Sequence, residues 1–245
     1  MPALCVAGGT EPAPAIRTEI NMIKICVSGS KGKMGSRIIE LAKQDAALKV
    51  DGEFDIGADP DPLIKRCDCL IEFTSPRATI EHLILCVRYK KAMVIGTTGL
   101  SEEEKEKIKA ASSQIQIVLS PNMSIGVNLL FKTAHNASKA LGAEYGVRID
   151  EAHHVHKKDS PSGTAKELAR IVKEVKGEVS IPINSIREDE IVGDHTITFE
   201  GPADIVRITH SAKTRDIFAK GALEAAKFIT GRNARLYSMQ DVLGV

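Results

Sequence analysis

The chain has 245 residues, which at roughly 100–200 residues per domain suits one large domain or two small ones. Hydrophobic residues make up 43% and charged residues 27%, a balance that excludes a disordered or membrane-spanning chain. Thirty-three Lys plus Arg against 32 Asp plus Glu leave a net charge of +1, and aromatics are 4% with no Trp. A nucleic-acid binder's basic footprint and stacking platforms are therefore both missing.

Residues 1–21 have no sustained period, no basic start and no unbroken apolar stretch, so they read as a flexible extension and not as a secretion signal; Met22 offers an alternative start. Residues 22–27 form a short buried-strand pattern that ends at a glycine turn. A helix follows with Ile38, Ile39, Leu41 and Ala42 on one face, then a second strand over 47–54. A third strand over 69–73 ends at Thr74-Ser75-Pro76 and leads to a helix over about 78–90. Residues 92–95 are a fourth strand, Ser101 and Glu104 form a capping box for the next helix, and 115–119 are a fifth strand. Strands alternating with helices predict a parallel sheet with helices on its faces, an α/β nucleotide-binding architecture.

After Pro121 the pattern changes. A helix over 125–141 leads to a strand over 145–156, and alternation at 195–199 and 205–210 predicts an antiparallel or mixed sheet in a second, α+β domain. An amphipathic helix over 217–229 follows. The division expected is 22–123 with 213–245 for dinucleotide binding and 124–212 for substrate binding and oligomerisation. The five cysteines are odd in number, and Cys67 and Cys69 have neither redox nor zinc spacing. Reduced core thiols in a cytoplasmic protein are expected.

Gly29-Ser30-Lys31-Gly32-Lys33-Met34-Gly35 lies between the first strand and the first helix. There glycines let backbone approach a pyrophosphate and the helix N-terminus holds its charge. The spacing departs from the commoner fingerprint, with Lys31 where its second glycine stands. An acid at the end of the second strand would bind the ribose: Asp51, Glu53 and Asp55 are candidates, with Glu53 preferred and Asp55 the fallback. Gly96-Thr97-Thr98-Gly99 and Ser120-Pro121-Asn122-Met123 follow the fourth and fifth strands, where open α/β sheets bind their ligands. Turn chemistry alone would also select these residues.

The segment from Glu151 to Ala165 crowds His153, His154, His156, Lys157 and Lys158 ahead of a Pro-Ser-Gly-Thr turn that opens a helix. Free N–H groups of Ser162, Gly163 and Thr164 make a carboxylate-sized receptor, with nearby His and Lys supplying charge and protons. His154 and His156 on one strand face, with Glu151 or Asp159, also describe a zinc site, although the neighbouring lysines oppose a dication, so no metal is assigned. A solvated basic strand end is the plainest alternative, and Lys158 on the opposite strand face suits it.

EAHHVHKKDSPSGTA, GSKGKMG, GTTG, SPNMSIGVN and the ending YSMQDVLG together resemble the dihydrodipicolinate reductase family of bacterial lysine biosynthesis, over about 22–245. The resemblance implies a Rossmann-like domain, a substrate domain that forms a homotetramer, and NADH- or NADPH-dependent reduction of a small cyclic dicarboxylate. It implies that His153 is a proton donor or acceptor and Lys157 a proton donor. The substrate carboxylate falls to His154, Gly163 and Thr164 beside Ser162. Cofactor contacts fall at Gly29 through Met34 (Ser30, Lys31, Gly32 and Lys33 between them), Glu53, Gly96, Thr97, Thr98, Ser120, Pro121, Asn122 and Met123. Where NADPH-binding members carry arginine after the acid, this chain has Phe54, so NADH is favoured. A different nicotinamide reductase, a non-catalytic nucleotide sensor and a metal hydrolase remain as alternatives.

Overall fold

The computed structural model describes residues 22–245; the expected flexible extension over 1–21 lies outside the described residues. β1 (Ile23–Ser28) pairs in parallel with β2 (Leu48–Phe54) on one side and β3 (Cys69–Glu72) on the other. β4 (Ala92–Ile95), β5 (Ile117–Leu119) and the short β10 (Leu236–Tyr237) extend this parallel sheet in the order β10-β5-β4-β3-β1-β2. Chain direction across the sheet reverses between β1 and β3, and the carboxyl ends of those strands open a crevice where such sheets bind ligands.

β3 and β4 are buried at every position, because both faces of the sheet are covered. Ile25 and Val27 point to the face closed by α1 (Lys33–Ala42) and α7 (Asp216–Ile229), where Ile38, Ala219 and Ala222 complete a dry core. Cys26, between them, points to the face closed by α2 (Asp61–Arg66), α3 (Pro76–Tyr89) and α4 (Glu102–Ala111). Arg37 of α1 grips Asp216 of α7 through two 2.6 Å hydrogen bonds, so the late helix is fastened onto the early sheet.

Between these segments lie α5 (Ile125–Ala140), β6 (Gly146–His153), α6 (Gly163–Lys176), β7 (Ile183–Arg187), β8 (Asp194–Glu200) and β9 (Ile205–Ser211). The four strands are ordered β7-β6-β8-β9, with β6 and β7 parallel and the other pairings antiparallel. The sheet is mixed because α6 is a crossover that returns β7 parallel to β6. Val127, Leu130, Phe131 and Leu168 from α5 and α6 pack on Val147, Ile149, Ile197 and Phe199. The last helix, α8 (Met239–Leu243), starts at a capping box of Ser238 and Asp241.

Several boundaries differ from expectation, among them the fifth strand, which starts at Ile117 and not at 115. The helix placed from 78 begins at Pro76, capped by the Ser75 hydroxyl, since proline suits a first helical position. The strand placed over 145–156 stops at His153. Beyond it the amides of His154 and Val155 bond to Ile191 and Asp189 carbonyls, and Lys157 N–H turns back to the His154 carbonyl.

Candidate active site

The glycine turn presents backbone, not side chains, to the crevice. Gly29 has φ +65, a left-handed conformation, and Gly32 N–H closes onto its carbonyl at 2.9 Å. Gly35 sits so close to this turn that a Cβ there would lie 2.1 Å from the Gly29 oxygen. Gly32 caps α1 with no side-chain hydrogen bond, and the first turn carries no acid. Its free N–H groups, with Ser30 beside them and exposed Lys31 and Lys33 nearby, fit a pyrophosphate.

The three acids near the end of β2 separate by their partners. Asp51 pairs with Arg66 and Lys49. Glu53 is exposed within the strand, in register with Val27. Asp55, just past the strand, accepts 2.8 Å hydrogen bonds from the Lys31 and Ile56 amides, which hold its carboxyl below the ordinary carboxylate range. The acid that touches the glycine turn is thus Asp55, two residues beyond the preferred Glu53. The residue following the acid becomes Ile56, which is fully exposed and uncharged.

Beneath the crevice the fully buried Glu72 carboxylate accepts from Ser28 Oγ at 2.7 Å and from Thr74 Oγ1, and meets Nδ1 of His82 at 2.6 Å. Thr97 receives hydrogen bonds from Thr74 N–H and from the Thr79 hydroxyl. Ser120 Oγ donates to the Asn122 carbonyl at 2.7 Å. The hydroxyls of Thr97 and Ser120 therefore shape their loops. Met34, Gly96, Thr98, Pro121, Asn122 and Met123 line a cavity of about 330 Å³ with Phe73 and Phe218 at its wall.

In the other domain, Glu151 and His153 continue the inward row of β6, and strand register brings Arg187 opposite His153 and His195 opposite Glu151. Glu151 accepts from Arg187 Nη2 at 2.9 Å and bonds Nδ1 of His153. Burial works to raise its carboxyl, but these partners overcome it and leave it lowered. Burial also lowers His153, against the pull of Glu151. Lys157 Nζ lies 2.7 Å from Asp159 Oδ1. Ser162 caps α6 through the Ala165 amide, leaving the amides of Gly163 and Thr164 unused by the cap. Asn122 Nδ2 donates to Thr164 Oγ1 at 3.2 Å, bridging the two domains.

His154 Nε2 meets an Arg215 guanidinium nitrogen at 3.2 Å, and Arg215 has no acidic partner among the described residues. His156 is exposed near Glu190, and the rings of His154 and His156 lie 6.1 Å apart. They share no strand face, since the strand has already ended, and Lys158 is exposed in the same loop and not on an opposite strand face. The tighter donor group is Glu151, His153 and His195, all within 4.8 Å. Its carboxylate already serves a guanidinium, with Lys157 in the same cleft, a setting unsuited to a dication.

His195 is pushed down to about 3, first by burial and then by His153. The fold therefore holds it neutral while the unfolded chain protonates near 6.5. Its contribution is complete above pH about 6.5 and is lost as pH falls toward about 3, on the order of 3–5 kcal/mol in all. Urea unfolding at stepped pH should show this slope, and His195→Gln should flatten it; an unchanged slope would contradict the assignment.

Glu151, Arg187, His195 and Arg215 were not assigned to the site from sequence. Glu151 carried a signal, two residues before His153 on one strand face; the others depend on register and on the late return of the chain. A cleft of about 810 Å³ is bordered by His153, His154, Lys157, Gly163, Thr164 and Arg215. It shares Thr98, Pro121, Asn122 and Phe218 with the smaller cavity between Met34 and the loops after β4 and β5.

Two family models match the chain, dihydrodipicolinate reductase N-terminus over residues 23–123 and C-terminus over residues 126–243. The chain belongs to the dihydrodipicolinate reductase family. The family's N-terminal unit spans the parallel sheet up to β5, and its C-terminal unit spans the mixed sheet and the returning helices. The 4-hydroxy-tetrahydrodipicolinate reductase of Aquifex aeolicus is 41% identical over 263 residues, covering 91% of this chain and 99% of its own. That of Syntrophotalea carbinolica is 36% identical over 266 residues, covering 91% and 100%. A dipicolinate-bound dihydrodipicolinate reductase from Paenisporosarcina sp. TG-14 shares the fold, with TM-score 0.80 and 23% identity over 90% of this chain and 98% of that one. No helix among the described residues is long and apolar enough to cross a membrane.

Proposed function

We infer that the chain is a 4-hydroxy-tetrahydrodipicolinate reductase, the activity its relatives are named for, acting in the cytoplasm in lysine biosynthesis. The observation that carries this reading is the junction of the two cavities: Thr98, Pro121, Asn122 and Phe218 border both. When bound, the reduced nicotinamide supplies a hydride. The glycine turn holds the pyrophosphate, Asp55 the ribose, and the loops at Gly96 and Asn122 the nicotinamide end. The net change in substrate is one hydride and one proton gained and one water lost.

The amides of Gly163 and Thr164 at the start of α6, with the Thr164 hydroxyl, bind one carboxylate. His154 and Arg215, which has no acidic partner among the described residues, serve the second. Lys157 and His153 together supply the one proton gained, Lys157 donating toward the ring nitrogen and His153 giving or relaying that proton. Asn122, which touches Thr164, belongs to the cofactor half and so ties closure of the cleft to both ligands. The homotetramer is part of the same proposal; the face of the mixed sheet opposite α5 and α6 is the surface available to it.

The dicarboxylate claim is tested by calorimetry with dipicolinate and with pyridine-2-carboxylate. Two charge-assisted anchors predict at least about tenfold tighter binding of the diacid, since one such contact is worth roughly 1.5–3 kcal/mol. Equal affinities would contradict it. For the cofactor, kcat/KM should favour NADH over NADPH, because Ile56 offers a 2′-phosphate no charge. Asp55→Ala should raise KM for NADH roughly tenfold while Glu53→Ala leaves it nearly unchanged. A strong NADPH preference, or the reverse ranking of the two acids, would overturn this part.

A further inference from the structure

The β6 side chains that face α5 and α6 run Val147, Ile149, Glu151, His153: two apolar residues, then a carboxylate and an imidazole in equally buried places. A carboxylate without solvent persists there only when its oxygens are partnered. Oε2 meets Nδ1 of His153, while Oε1 accepts from Arg187 Nη2 at 2.9 Å and from the Ser162 amide at 3.3 Å. Ser162 is the N-cap of α6, and its hydroxyl also faces Nε2 of His195 at 3.0 Å. One side chain thus touches the imidazole, the start of the carboxylate-binding helix and a guanidinium that itself donates to the Asp159 carbonyl at 2.6 Å.

We propose that Glu151 is a positioning residue for the reduction, holding the His153 imidazole and the N-terminus of α6 in one register so that both meet the substrate together. This rests on the proton-donor role given to His153 above. An ionised carboxylate only accepts hydrogen bonds, so Nδ1 of His153 carries the hydrogen and Nε2 is the atom that exchanges a proton. Nε2 borders Gly193, where an added Cβ would lie 3.0 Å away, so the backbone leaves that edge of the ring clear. The titratable and charged groups around the ring are Glu151 on β6, Lys157 and Asp159 in the following loop, Arg187 on β7 and His195, held neutral, on β8. Glu151 is the anion in contact with it, opposed by Arg187 and Lys157.

The test is a set of pH profiles and a double-mutant cycle on the full chain. Glu151→Gln keeps the side-chain volume and removes the charge. It should lower kcat on the order of 10- to 100-fold, leave the NADH dissociation constant unchanged, and move the alkaline inflection of kcat down by about one pH unit, as the imidazolium loses its counter-charge. Arg187→Gln removes the opposing cation and should move that inflection up, a pair of opposite shifts that loss of packing would not produce. It also carries the test if Glu151→Gln does not fold. In a His153→Gln background, adding Glu151→Gln should cost no more than about twofold. A full further loss in that background, or inflections that stay put in both single variants, would overturn the proposal. An inactive His153→Gln beside a normal Glu151→Gln would overturn it alone, whereas a normal His153→Gln would withdraw the proton-donor reading as well.

Discussion

Lys157→Ala is expected to lower kcat by roughly 10²- to 10⁴-fold, the usual contribution of a single general acid. The ammonium borders the large cleft and is held 2.7 Å from Asp159, whose carboxyl burial tends to raise but Lys157 keeps lowered. Asp159 therefore holds the Lys157 side chain at the cleft. The side chain lies in a loop and retains 24% of its exposure, so its removal should change stability by only about 0.5 kcal/mol. NADH binding, measured by calorimetry, should stay within about twofold, since the cofactor loops lie in the other domain. Lys157→Arg should not restore turnover, because a guanidinium does not release its proton at working pH. Near-normal turnover in Lys157→Ala would remove the lysine from its role.

The second large effect is expected at Gly35. An added Cβ would lie 2.1 Å from the Gly29 oxygen, 2.7 Å from its carbonyl carbon and 3.0 Å from Ser30 Cα, all backbone atoms. Nothing there can rotate aside, so α1 must withdraw from the turn that it buttresses. Alanine gains about 1 kcal/mol of helix propensity, against overpacking of roughly 1–3 kcal/mol. Stability should therefore fall modestly while NADH affinity falls at least about tenfold, because the turn and the helix amides no longer converge on one anion. Gly163 offers the control: a Cβ there meets nothing within 4 Å, and Gly163→Ala should leave NADH binding intact. Equal NADH affinity in Gly35→Ala and the unaltered chain would contradict the assigned cradle.

The parallel sheet was legible because its central strands are short apolar runs and its turns carry glycine, proline and capping serine. β4 has the bounds expected from its pattern, and the Ser101 capping box forms as written. α2, β7, β10 and α8 were not read; each is short, and β7 alternates weakly between half-buried and exposed positions. The overlong strand after 145 was misread because the His and Lys residues past His153 continue a plausible alternation. Only the turn closed by Lys157 and His154 ends it. That Asp55, and not the preferred Glu53, touches the glycine turn was not visible in the sequence, because it depends on how the end of β2 meets the Lys31 amide. Ser162, Gly163 and Thr164 were visible as a helix start. His195 was not, because it joins Glu151 only through the antiparallel register of β6 and β8.

The most direct measurement follows reduced nicotinamide while 4-hydroxy-tetrahydrodipicolinate is generated in place by the upstream condensing synthase. The expected result is rapid NADH oxidation that needs both the protein and the condensing enzyme and is suppressed by dipicolinate. If protein that binds both NADH and dipicolinate oxidises no NADH above the blank, the cleft does not carry out this reduction.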